Sequence, residues 1–332
     1  MLHCACGFTC GTYAALDRHV AAAPVGAGRH HGVVPAALPA SQAPAATGLR
    51  MLRRRMPGTH SSTGALHPAP QQLSLLAQAG SAAMKSSSCV LGAQQRLLLV
   101  RHAHSANKVR VPGEPASRDP GLSGLGREQA AALCKRLVRD FGPGGRFRIE
   151  SLLVASSPMR RCLLTICPAL RHLALETGRC VCHAGCYEYG CAGCSYRGRS
   201  SSEIVGEFPE LQPVAFTAAG GWDYRGSDEK ESEEDCRQRC ARVVEWLRAT
   251  FSTLIQSRPA GQGGTPATII LCTHQTVADL LTRMLVDGTD AGWAYGDVKY
   301  VLRNAGIREI LLHHDGRATL ATVSDDSHVA LS

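Results

Sequence analysis

The 332-residue sequence contains no run of 18 or more apolar residues, so no conventional membrane-spanning helix is expected. Its first residues, MLHCACGFTCGT, lack a basic head followed by an apolar core. A secreted, disulfide-linked framework is therefore not expected, although the chain has 15 cysteines. These absences predict an intracellular, cytoplasmic protein with free thiols and no membrane partner.

Acidic residues are almost absent from the first hundred positions, where Asp17 is the single acid beside eight basic side chains. This stretch supplies +7 of the net charge of +9, and the rest of the chain is nearly neutral. Aromatic residues are also absent between Tyr13 and Phe141, so residues 32–94 have little from which to build a core. We predict a disordered linker there. Organelle targeting by the basic, acid-poor N-terminal region is the alternative.

Residues 1–31 are rich in Cys and His and weakly resemble a degenerate two-Cys two-His zinc finger. Twelve residues separate Cys6 from His19, as in such fingers, but Cys4 precedes Cys6 by one residue where two to four are usual. The last ligand would be His30 or His31. The resemblance implies a structural zinc ion held by Cys4, Cys6, His19 and His30. One finger reads only about 3 bp, so a nucleic-acid partner is not expected.

Residues 95–325 alternate short apolar strands with amphipathic helices, which predicts an α/β domain with a mostly parallel sheet. The predicted strands are 96–100, 151–155, 179–183 and 268–272, with a terminal hairpin of 307–313 and 318–323. The predicted helices are 123–140, 159–175, 235–254 and 276–286. The first helix is expected to begin at Ser123 and to present Leu125, Ala130, Leu133 and Leu137 at helical spacing.

Chemically useful side chains follow the predicted parallel strands at their carboxyl ends. The first strand leads into Arg101 and His102, and the fourth leads into His274. Arg161 follows the second strand, and Glu188 lies in the loop after the third. Because the carboxyl ends of parallel strands meet at one edge, we expect these groups to converge. Arginines bind phosphate, histidine can attack phosphorus, and a carboxylic acid can protonate a leaving oxygen. This combination predicts a phosphoryl-transfer site.

Several segments, in order along residues 95–325, resemble the signature motifs of the histidine phosphatase superfamily, also called the phosphoglycerate mutase-like family. These segments are LLLVRHAHSAN, DPGLSGLGREQA, SSPMRRCLLT, GWDYRGSDEKESEEDCRQRCARVVEWL and LCTHQTVADLL. The resemblance implies a three-layer α/β/α sandwich with a mostly parallel sheet. It also implies a phosphohistidine at His102 and catalysis without a metal cofactor.

The resemblance assigns roles to the remaining residues as well. The phosphoryl oxygens would be bound by Arg101, Ser105, Asn107, Arg161 and His274. Glu188 would be the acid and then the base, with Glu203 as a weaker candidate. Two positions depart from the pattern, because Ala103 and Gln275 stand where the family has glycine. Ala103 is expected to be tolerated if its φ is negative. Gln275 would narrow or reshape the pocket.

The sequence thus predicts a metal-independent phosphomonoester phosphatase acting on a small phosphorylated substrate. A phosphoglycerate mutase-type isomerase is one alternative, although no insertion resembling the mutases' ERHYG-type segment follows the second strand. A catalytically lapsed module that binds phospho-ligands or proteins is the other. The oligomeric state stays open. The cysteines at positions 180, 182, 186, 191 and 194 are expected to act as small hydrophobes, with a metal or redox role as the alternative.

Overall fold

A computed structural model of the chain describes residues 95–176, 178–191, 196–217, 221–222, 229–257 and 266–329. It also describes a short antiparallel pair formed by Leu2–His3 and Thr9–Cys10. The predicted linker and the predicted zinc ligands Cys4, Cys6, His19 and His30 lie outside these residues. Among the residues described, no helix combines the length and the apolar character needed to cross a membrane.

The described residues from Gln95 onward form seven strands and five α-helices. The strands are β1 (Gln95–Arg101), β2 (Leu152–Ser156), β3 (Cys180–His183), β4 (Gln212–Val214), β5 (Thr268–Thr273), β6 (Ile307–Leu312) and β7 (Ala318–Asp325). The helices are α1 (Gly124–Phe141), α2 (Arg160–Leu173), α3 (Ser201–Glu207), α4 (Glu233–Gln256) and α5 (Gln275–Thr282). A π-helical turn, Arg283–Asp287, follows α5.

The strands form one mixed sheet in the order β4-β3-β2-β5-β1-β6-β7. The first five strands in this order are mutually parallel, whereas β6 runs antiparallel to β1 and β7 runs antiparallel to β6. The prediction of a mostly parallel sheet is therefore confirmed. The β3, β2, β5 and β1 strands are neighbours, so their carboxyl ends lie at one edge.

Side chains alternate along each strand, so the sheet presents apolar side chains on both faces. Helices cover both faces and bury these side chains. In β1, Leu98 and Val100 belong to the core that packs on α1 and α2. Leu97 and Leu99 point the other way, into the core formed with α4 and α5. Burial of each such side chain contributes about 1.5–3 kcal/mol. The two cores make the three-layer sandwich that the motifs predicted.

Helix α1 begins where its sequence predicts and brings its first turn close to the active-site edge. Ser123 caps it by accepting a hydrogen bond from the backbone N–H of Gly126. A Cβ at position 126 would collide with the carbonyl oxygen of His104, so only glycine permits this approach. The prediction that Leu125 belongs to the buried stripe is wrong, because its neighbour Gly126 occupies that face and Leu125 is turned to solvent.

Candidate active site

Hydrogen bonds join the chain segments that leave the strands at this edge. The backbone N–H of His102 donates to Thr273 O at 2.9 Å, and that of Ser157 donates to Cys272 O at 2.8 Å. Thr273 Oγ1 donates to Cys186 O at 3.0 Å. The residues that follow β1, β2, β3 and β5 are therefore held side by side, as the parallel topology predicts.

His102 is buried and is held in one tautomer by its surroundings. Its Nδ1 lies 2.7 Å from Ala103 O. A carbonyl oxygen only accepts hydrogen bonds, so Nδ1 carries the proton and Nε2 keeps a lone pair. Burial, followed by the positive charges of Arg161 and Arg101, lowers the pKa of His102 well below its ordinary value. The ring is therefore neutral, as a nucleophile must be.

Ala103 fits the backbone at the position where the family pattern has glycine. Its N–H donates to Thr165 Oγ1 at 3.0 Å, and the residue is completely buried. It is not among the described residues with positive φ, so alanine causes no backbone strain there. The backbone condition under which alanine was expected to be tolerated is therefore met.

His274 and Arg161 form a connected pair beneath His102. The Arg161 Nη2 atom donates to His274 Nδ1 at 3.1 Å, which leaves the ring proton on Nε2, 2.8 Å from Ser157 Oγ. The ring centroids of His274 and His102 are 5.2 Å apart. Burial, Arg161 and then His102 lower the pKa of His274 well below its ordinary value. Ser157 holds the His274 ring through Nε2, and the ring in turn orients the Arg161 guanidinium through Nδ1.

Glu188 reaches the same edge from the loop after β3. Its Oε2 accepts from the backbone N–H of Thr276 at 3.5 Å, and Oε1 accepts from that of Tyr189 at 2.9 Å. Thr276 lies in the first turn of α5, two residues after His274, and the charge of Glu188 acts on the Arg161 guanidinium. The carboxyl group is therefore close to the pair that would bind phosphate.

Glu203, the other candidate acid, is engaged elsewhere. It is exposed and completes a capping box with Ser200 at the start of α3. Its Oε2 accepts from the Ser200 backbone N–H at 2.7 Å. The structure therefore gives Glu203 a helix-capping role and brings Glu188 to α5.

A buried ion pair, which sequence reasoning did not single out, holds the loop that carries Glu188. Arg239 binds both carboxylate oxygens of Glu231, at 2.7 and 2.9 Å. Its Nη1 donates to Gly185 O and Tyr187 O, each at 2.8 Å. The guanidinium also lies 3.8 Å from the centre of the Tyr187 ring. The sequence signal for this ion pair is the ES…R spacing in GWDYRGSDEKESEEDCRQRCARVVEWL. We call the pair of Glu231 and Arg239 the clamp.

Ser105 and Asn107 lie on the segment that follows His102. Ser105 is buried and forms an isolated backbone bridge with Leu122. The Asn107 amide donates to Ser117 O at 2.8 Å and accepts from Ser117 N at 3.1 Å, so it closes the loop between these two residues. Their phosphate contacts stay predictions.

Arg101 and Gln275 both bond to the chain just before β6. Arg101 Nη1 donates to Leu302 O at 2.9 Å. The Gln275 amide donates to Tyr300 O at 2.9 Å and accepts from Leu302 N at 2.8 Å. The Gln275 side chain, expected to narrow the pocket, is thus directed to the backbone of residues 300–302. Asn304, which had no sequence signal, donates from Nδ2 to His102 O at 2.8 Å.

The cysteines that the structure describes are free thiols. Cys180, Cys182 and Cys186 are buried, and burial raises the pKa of Cys180 to about 11. They pack as small apolar side chains. Cys194 lies outside the described residues. Within the described part of the chain, no group of three or more His, Cys, Asp or Glu side chains could hold a metal ion.

Comparison with known proteins gives one family match. The family model described as "Histidine phosphatase superfamily (branch 1)" matches residues 97–326. Similar solved structures include a mycobacterial glucosyl-3-phosphoglycerate phosphatase, with 21% identity and a TM-score of 0.44 over 69% of this chain and 98% of that one. The alpha-ribazole phosphatase of Shigella flexneri has 20% identity and a TM-score of 0.43 over 70% and 97%. No curated protein sequence matches.

Proposed function

The chain belongs to the histidine phosphatase superfamily, and we propose that it hydrolyses small phosphomonoesters through a phosphohistidine on His102 without a metal cofactor. The observation that carries the proposal is the tautomer of His102. With Nδ1–H bonded to Ala103 O, the lone pair on Nε2 is available for attack at phosphorus. An ordinary surface histidine would be partly protonated near neutral pH, whereas this buried ring stays neutral.

In the first step, the Nε2 lone pair of His102 forms a bond to phosphorus while the bond from phosphorus to the ester oxygen breaks. The leaving oxygen takes the proton of Glu188, so an alcohol departs. Arg101 and Arg161 bind the phosphoryl oxygens and stabilise the charge that develops on them. The fixed contact between Arg161 and His274 supports this role, because a preoriented guanidinium needs no reorganisation during the reaction.

In the second step, water attacks the phosphorus of the phosphohistidine. Glu188, now a carboxylate, takes a proton from this water, and the electrons of the P–N bond return to Nε2. Inorganic phosphate leaves, and both His102 and Glu188 regain their initial protonation states. A direct contact between His274 and a phosphoryl oxygen would require its Nε2–H to leave Ser157 Oγ.

Hydrolysis of 4-nitrophenyl phosphate by the full-length protein tests the proposal. We expect phosphate release by the wild type and its loss in His102→Ala. The matched control is His313→Ala, in the hairpin of β6 and β7, which should behave as the wild type. Orthovanadate binding without hydrolysis of a broad phosphomonoester panel would instead indicate a binding module. Isomerisation of 3-phosphoglycerate without phosphate release would indicate a mutase.

A further inference from the structure

Gln275 stands immediately after His274, at a position where the family pattern has glycine. Its side chain is buried, and its amide forms two hydrogen bonds with the backbone, one as donor and one as acceptor. The amide N–H donates to Tyr300 O, and the amide oxygen accepts from Leu302 N. These partners fix the orientation of the amide, because a carbonyl can only accept and an N–H can only donate.

The chain from Leu302 to Ala305, which begins in the segment that Gln275 binds, contacts Arg101 at the end of β1 and His102 just after it. The Leu302 carbonyl accepts from Arg101 Nη1 at 2.9 Å. Ala305 N donates to Arg101 O at 3.0 Å, and Asn304 binds the carbonyl of His102. Residues 300–302 have no regular secondary structure, and the hydrogen bonds that the structure shows for their backbone come from side chains.

Gln275 and Arg308 together hold the peptide group between Val301 and Leu302. Its N–H, that of Leu302, donates to the Gln275 amide oxygen, and its carbonyl, that of Val301, accepts from Arg308. The Leu302 carbonyl that binds Arg101 belongs to the adjoining peptide group. A path of hydrogen bonds therefore runs from Gln275 through Leu302 to the guanidinium of Arg101.

We propose that Gln275 is a positioning residue that sets the direction of the Arg101 guanidinium towards the phosphoryl group. The inference rests on the proposed function, since it needs Arg101 to bind phosphate. Loss of the amide would leave the peptide between Val301 and Leu302 held by Arg308 alone, and the adjoining Leu302 carbonyl, which accepts from Arg101, would shift. Phosphate affinity should then fall, whereas His102 and its reactivity stay intact.

The test uses Gln275→Gly, which restores the family residue, and Gln275→Met, which keeps the side-chain length and removes both hydrogen bonds. For each full-length variant, the inhibition constant of orthovanadate and the kcat and KM for 4-nitrophenyl phosphate are measured. We expect the inhibition constant and KM to rise together, roughly fivefold to tenfold, which corresponds to one or two lost hydrogen bonds. The value of kcat should fall as well, because Arg101 also stabilises the charge that develops on the phosphoryl oxygens.

Two controls separate positioning from general loosening of the fold. Leu133→Ala destabilises the core on the opposite face of the sheet and should leave KM unchanged. In an Arg101→Ala background, Gln275→Met should cause no further loss of kcat/KM, because its effect passes through Arg101. Equal losses in both backgrounds, or unchanged orthovanadate affinity in both Gln275 variants, would overturn the role of Gln275. A wild type that binds no orthovanadate would overturn the proposed function itself.

Discussion

The hydrogen bond between His102 Nδ1 and Ala103 O sets the tautomer of His102, and NMR can observe this tautomer directly. We expect its imidazole to keep the neutral Nδ1–H tautomer at pH 6.5, where a free imidazole is half protonated, because burial and the adjacent arginines lower its pKa. Histidine-selective ¹⁵N NMR would measure the two ring nitrogens, with His102→Ala identifying the signals. A protonation midpoint near pH 6.5, the value of a free imidazole, would contradict the tautomer and the neutral nucleophile.

The two candidate acids can be compared by the same substitution. We expect Glu188→Gln to reduce turnover about 10²- to 10⁴-fold, because the amide can neither protonate the leaving oxygen nor activate water. The phosphohistidine should accumulate with an activated aryl phosphate, whose leaving group needs little protonation. Acid-labile, base-stable labelling of His102 would measure it.

Glu203→Gln is the matched control, since Glu203 only caps α3. This variant should keep wild-type turnover and show no accumulated intermediate. A large loss of turnover in Glu203→Gln, together with an active Glu188→Gln, would instead identify Glu203 as the general acid.

At the residue scale, the sequence was most informative where a side chain follows a strand. The convergence of Arg101, His102, Arg161 and His274 follows from topology alone, because parallel strands end at one edge. The contacts of Gln275 could not be predicted, since its partners lie 25 and 27 residues further on, in a segment without periodicity. The contact of Asn304 with His102 spans 202 residues and has no sequence signal either.

At the scale of elements, the buried pair of Arg239 and Glu231 should matter far more than a surface pair on the same helix. We expect Glu231→Gln to lower the free energy of unfolding by about 3–5 kcal/mol, because it leaves the Arg239 charge buried without its partner. Glu234→Gln removes an exposed partner of Arg237 and should cost less than about 1 kcal/mol. Urea denaturation of both variants measures the difference. Similar losses in the two would contradict the assigned importance of the clamp.

The long elements were predictable and the short ones were not. Helices α1 and α4 combine a serine cap with a repeating apolar face, and both begin within two residues of the predicted position. Helix α3 has seven residues and only one buried side chain, Ile204, so it offers no periodic signal. Strand β4 is a short edge strand containing Pro213. The π-helical turn after α5 has no sequence signature that distinguishes it from an ordinary helix.

At the scale of the whole molecule, three buried histidines should make stability depend on pH. His102, His183 and His274 all have lowered pKa values, mainly through burial, and that of His183 falls to about 4. The unfolded chain binds protons at these rings near pH 6.5, whereas the folded chain does not. Their contribution to stability is therefore present above pH 6.5 and is lost as the pH falls below this value, for His183 until the pH reaches about 4.

We expect the free energy of unfolding to decrease between pH 6.5 and pH 5, with His183 alone contributing roughly 1–2 kcal/mol to the decrease. Urea denaturation at the two pH values measures the change. His183→Asn removes a histidine that packs against Trp246 outside the proposed catalytic set. The free energy of unfolding of this variant should therefore decrease less between the two pH values. A free energy independent of pH over this range would contradict the neutral state of the buried rings.

The central place of β1 has a consequence for how the protein is made. β1 is the first strand of the sheet along the chain, yet its neighbours β5 and β6 come from residues 268–273 and 307–312. A ribosome must therefore synthesise almost the entire domain before β1 can pair. Pairings so distant along the chain slow folding and leave apolar strands exposed for longer. On the proposed function, a nascent or truncated chain that ends before β5 would therefore carry the motif around His102 without the activity.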